Sequence, residues 1–125
     1  MAQRAQTIPL TASAAITGRT MVKSSGSLTV APCTAATDQP IGVAEYDTAV
    51  NAICAVIVSG VAKVRAGAAI APQTNARVVS DSLGRVVTAA PVAGTNNGIL
   101  GFALEAAAAL GDEIDILIEP SIFQG

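Results

Sequence analysis

The 125-residue sequence predicts a mainly β protein: a single small β-barrel domain over residues 19–125, made of two pseudo-repeated halves and preceded by a flexible, extended N-terminal arm at 1–18. Three observations carry this. From position 19 onward, short β-branched runs alternate with turn-forming residues. "IGVAEYDTA" at 41–49 returns in altered form as "LGFALEAAA" at 100–108. Of the apolar residues 26 are alanine, while 13 are valine and 11 isoleucine, which suffices for one thin β-branched core but not for two.

Along the chain, residues 1–18 set Ile8, Leu10 and Ile16 singly among Thr, Ser and Gln, a pattern that buries little area locally. "TMVK" and "LTVA" form a hairpin around Gly26. "NAICAVIVSG" (51–60) carries no charge and reads as a strand buried on both faces, bent or bulged at Gly60. "VAKVRAG" then alternates, with Lys63 and Arg65 on a wet face. "ARVVS" and "RVVTA" make a second hairpin turning at Asp81–Gly84, and "GTNNG" (94–98) reads as a loop. The final strand, "EIDILIEP", puts Ile114, Ile116 and Ile118 on one face and ends at Pro120.

One segment competes for helix. "ALEAAAALG" (103–111) has the best helix formers in the chain and Gly111 where a helix would stop. So short a helix is marginal by itself, and a strand followed by a turn fits the repeat better; the expectation is at most one short helix near 103–110. Aligning the halves pairs Gly26 with Gly84 (offset 58), Gly42 with Gly101 (59), and Ile53, Ala55 and Ile57 with Ile114, Ile116 and Ile118 (61). The segment 59–79 then serves as the connection.

The chemistry of common enzymes is absent from the composition. Without histidine there is no usual general base, no Ser-His or Cys-His pair and no ordinary zinc site. Asp112, Glu113 and Asp115 cluster but read as a solvated strand end. "GTNNG" lacks the lysine and spacing of a P-loop. Lys63 sits on a strand as carrier lysines do, yet "VAKVR" does not match biotin or lipoyl motifs. No cofactor or metal is expected. Three aromatics and a net charge of −2 argue against nucleic acid as a partner. Cys33 and Cys54 read as free, buried thiols. The charge-free run 48–62 is too short to span a bilayer, 86–104 is broken by Pro91 and Gly94, and Thr7, Pro9, Thr11 and Ser13 interrupt any signal-peptide core, so neither membrane nor secretion is expected.

Taken in order, "PIGVAEYDTA", "VSGVAKVRAGAAIAPQT", "VVSDSLGRVVTA" and "ILGFALEAAAALGDEIDILI" resemble the bacteriophage head decoration, or capsid cement, proteins over roughly residues 20–119. The chain departs from that pattern at Pro72 and Gln73, where the family usually has glycine. The resemblance implies a non-enzymatic β-tulip that assembles as a homotrimer on the outer surface of an icosahedral head. It implies the major capsid protein as partner, synthesis in the host cytoplasm, and an arm whose Gln3, Arg4, Ile8, Leu10 and Ile16 are candidate capsid contacts. Deleting residues 2–16 is then expected to leave a folded protein. Another structural subunit of the particle, in tail or fibre, is the alternative, with a small cytosolic carrier behind it.

Overall fold

The computed structural model describes residues 6–71 and 77–124. Nine strands follow one another: β1 (Gln6–Ala12), β2 (Met21–Gly26), β3 (Thr29–Pro32), β4 (Gly42–Ala44), β5 (Ile53–Arg65), β6 (Arg77–Ser80), β7 (Val86–Thr88), β8 (Asn96–Ala103) and β9 (Glu113–Gln124). Their order is β1-β3-β2-β4-β5-β9-β8-β6-β7, and an extra β1–β5 pairing closes the first five into a barrel. Alternate side chains fill it: Ala12, Ile16, Val22, Val30, Ala44, Cys54 and Val56 are buried against one another.

The second half repeats this construction with the C-terminal part of β5 in the place of β1. Thr11 faces Ile53 across β1–β5 as Arg65 faces Glu113 across β5–β9. Val22 faces Gly42 as Val78 faces Gly101, and the parallel Ala12–Val30 pair returns as an isolated Ala66–Val86 bridge. Every interior residue of the first barrel has a counterpart in the larger core cluster: Ala66, Ile70, Val78, Val86, Ala103, Ile114 and Ile116. That cluster also takes in Met21, Cys33, Val43 and Ile57, which join the two halves.

The observed offset grows from 54 (Ala12 to Ala66) through 56 (Val22 to Val78) and 59 (Gly42 to Gly101) to 60 (Val56 to Ile116). Only the Gly42–Gly101 match agrees with the sequence alignment. Matching Ile53, Ala55 and Ile57 to the three C-terminal isoleucines is one residue out of step, and in a strand a single step exchanges the two faces. Cys54 and Val56, the inward residues, are the true partners of Ile114 and Ile116. Likewise Leu28, with φ 58, occupies the hairpin position of Gly84, with φ 77.

Four other expectations change. The arm is built into the fold from residue 6: β1 pairs along β5, and Ala12 and Ile16 are core residues. Its partner is far away in sequence, so nothing local reveals it. The 59–79 segment is not merely a connection, since residues 60–65 are the opening strand of the second half. Asn96, Asn97 and Gly98 belong to β8, paired with Gln124, Phe123 and Ile122, because the 35–39 loop crosses there and Ala36 O accepts from Gly98 N. Pro120 does not end β9: it lies where a bulge sets two residues of β9 against Leu100, a place where a missing N–H is tolerated.

Among the described residues there is no helix. At 104–111 the backbone is committed elsewhere. Ala107 exchanges hydrogen bonds with Ile70 at 2.9 and 3.0 Å, and the Asp112 carboxylate accepts from Ala108 N and Ala109 N. At Gly60, φ 89, β5 leaves its first partners and takes up β9.

Both cysteines are free and buried, Cys33 at the junction of the halves and Cys54 inside the first barrel. Burial, reinforced by the Asp38 charge against the opposing Lys23, pushes the Cys33 thiol up to about 12. The thiolate is the reactive form, which Cys33 is denied, and Cys54 is fully shut off from solvent, so neither cysteine should react with an aromatic disulfide reagent under native conditions, and both should react after denaturation. Rapid native labelling of Cys33 would contradict the burial described.

Candidate functional site

Of the five arm residues singled out in the sequence, Gln3 and Arg4 lie outside the described residues. Ile8 and Leu10 point toward the first barrel and are half-buried, and Ile16 is buried. As placed, these three spend most of their apolar surface within the chain. The free part of β1 is its outer edge. Thr11 N donates to Leu28 O on that side, so the nitrogen of Pro9, two residues earlier, faces the same way and presents no donor.

Three surface regions remain for partners. The first is the outer face of β5 and β9. Lys63 pairs with Asp115 at 3.2 Å and Glu105 at 3.7 Å, and Arg19 Nη1 donates to Glu113 Oε1 at 3.0 Å. The Asp115 hydrogen bond raises the Lys63 pKa, with Glu105 adding. The carboxylates that clustered in the sequence are thus engaged separately, Asp112 with backbone, Glu113 with arginine and Asp115 with lysine. Exposed pairs of this kind contribute little to stability.

The second region is apolar and duplicated. Val50 and Leu110 stand exposed at matched turns before β5 and β9, and Leu28 and Leu83 at the tips of the two hairpins. Ile122, beside Ile41 and Pro120, adds another uncovered group. Scattered exposed leucines need no explanation, and Leu28 matches Gly84, not Leu83, but Val50 and Leu110 fall at equivalent positions in the two halves.

The third is a cleft of about 470 Å³ where the β6–β7 turn docks on the first barrel. The docking bond is Met21 N to Gly84 O, 2.8 Å. Thr17, Thr20, Cys33 and Thr34 line one side, and Arg65, Ser82, Leu83 and Arg85 the other. Asp81 builds the turn: its Oδ1 accepts from Leu83 N and Arg85 N, and its Oδ2 from Arg85 Nε at 2.7 Å. Nearby, burial alone would raise the Asp38 pKa, but hydrogen bonds from Thr34 N and from Lys23 outweigh it and hold the carboxyl below its ordinary range.

Nothing in these regions forms a nucleophile–base pair, and the surface is made of loops, edges and paired charges. Such a surface suits association. The profile of phage cement proteins matches residues 2–118. The chain belongs to the phage cement protein family. The fold is also that of a solved structure, the head fibre gp8.5 N base of bacteriophage phi29. That likeness has a TM-score of 0.66 at 18% identity and covers 98% of this chain and 100% of that one. No curated protein matches the sequence.

As a cement protein, the chain is a structural component of a phage particle. The duplicated apolar tips and the arginine cleft escaped the sequence reading. Val50 and Leu110 were recoverable, since they fall at the same offset as Val56 and Ile116. The cleft was not, because its walls come from four separate stretches of chain.

Proposed function

We propose that this cement protein assembles as a homotrimer on the outer surface of the phage head and stabilises it by clamping adjacent major capsid subunits. The match to the cement family over residues 2–118 carries the reading. The exposed apolar groups support it, with Val50 and Leu110 at equivalent positions in the two halves, because they supply contact surface. The protein is made in the host cytoplasm and added to the head, where its role is structural, not catalytic. Binding only to the assembled lattice shifts the equilibrium against disassembly by mass action, and several weak contacts per assembly add avidity.

Purified protein added to heads lacking it should bind and raise their resistance to heat, and light scattering should give the mass of three chains. Absence of binding would sink the decoration reading; a monomeric mass would remove the trimer alone. The likeness to a head fibre base favours a second reading, in which the chain seats a fibre on the head. Microscopy of the particle separates them by whether a projection rises from its position.

A further inference from the structure

We propose that the cleft between the β6–β7 turn and the first barrel is a carboxylate-binding site that receives an acidic side chain from the capsid surface. The identity of the partner rests on the decoration reading; the chemistry of the site does not.

Arg85 is mostly covered, at 22% side-chain exposure, and spends only its Nε on Asp81. Among the described residues neither of its terminal nitrogens has a hydrogen-bond acceptor, and neither is fully buried. A guanidinium carries five N–H donors in a rigid fork, so several reach the cleft unspent. Arg65, at the C-terminal end of β5 in the same half of the fold, is loosely held: its Nε lies 3.9 Å from Glu113 Oε2, while the other oxygen of Glu113 is taken by Arg19. Thr17 and Ser82 add hydroxyls with no hydrogen bond among the described residues, and no carboxylate lines the cleft.

Two guanidinium groups with open donors, hydroxyls in the same lining and no acid among the lining residues suit a planar anion bound by N–H···O bonds. Leu83, exposed on the rim, supplies apolar contact to the stem of an Asp or Glu. The chain as a whole is net negative, so diffuse attraction to an acidic partner is weak and the cleft must supply it locally.

The test compares binding of four proteins to heads lacking the cement protein, across a range of salt concentrations: wild type, Arg65→Gln, Arg85→Lys and Lys63→Gln. Arg65→Gln should weaken binding about tenfold and flatten the salt dependence, as expected for losing a charged hydrogen-bond donor. Arg85→Lys keeps the charge beside Asp81 but loses the fork, and should also weaken binding. Lys63→Gln removes a cation from the same strand outside the cleft and should stay within about twofold. Equal effects of Arg65→Gln and Lys63→Gln, or none from Arg65→Gln, would overturn the proposal while leaving decoration intact. In parallel, a hexaglutamate peptide is titrated while the arginine Nε–H resonances are followed by NMR. Shifts at Arg65 and Arg85 that a hexalysine peptide does not produce are expected. Their absence overturns the site even if the wild type binds heads, and their presence upholds it even if the wild type does not.

Discussion

Gly101→Ala should destabilise the protein by about 3 kcal/mol, a large share of the roughly 5–15 kcal/mol total of a typical domain. A Cβ at position 101 would meet the backbone oxygen of Leu117 on β9, and in the other half a Cβ at Gly42 would meet that of Ile57. Both obstacles are backbone, which cannot rotate aside, so the strands must separate and their ladder hydrogen bonds must lengthen. Gly94→Ala is the control. It has a positive φ (82°), which Gly101 does not, but nothing lies within 4 Å of its added carbon, so only left-handed backbone strain applies, about 1 kcal/mol. Denaturant midpoints of the two variants measure the contrast. A loss at 101 no larger than that at 94 would show that the added carbon is accommodated and that strand contact is not what Gly101 serves.

Deleting residues 2–16 should unfold the first barrel. This reverses the expectation for a flexible arm. The deletion removes β1 with its whole pairing to β5, takes Ala12 and Ile16 out of the core, and opens Cys54 and Val56 to water. A fully buried Ile or Leu is worth about 1.5–3 kcal/mol, and Ile16 with the half-buried Ile8 and Leu10 approaches the roughly 5–15 kcal/mol total of a typical domain. Deleting only residues 2–5 leaves β1 in place. The measurement is far-UV circular dichroism on melting together with thiol titration, in which Cys54 should become reactive only in the longer deletion. A longer deletion that melts like the intact chain would restore the arm.

Strand periodicity was legible because both its signals are local. Lys63 and Arg65 point to water, Ile114, Ile116 and Ile118 point inward, and the Asp81–Gly84 turn sits where its residues demand. The duplication was legible at Gly42 and Gly101, where the same steric need selected the same residue twice. It was misread at the C-terminal isoleucines, where identity of side chain suggested one register and direction of side chain dictates another. β1 was hidden for a different reason: its longest pairing, with Ile53 to Ser59, spans more than forty positions, and a polar, aperiodic run gives no hint of what will cover it. The arginine cleft exists only once the halves are packed. Arg65 and Arg85 are ordinary surface residues until the β6–β7 turn brings them to one cavity.

β5 belongs to both halves, with Gly60 at the crossing. In mechanical terms it is a tie bar. When a load pulls one half away from the other, part of it runs along the covalent backbone of a single strand and is not borne only by hydrogen bonds peeled one after another. The halves also share a packed core, so slack between them is small. A protein built this way resists being parted at its own middle.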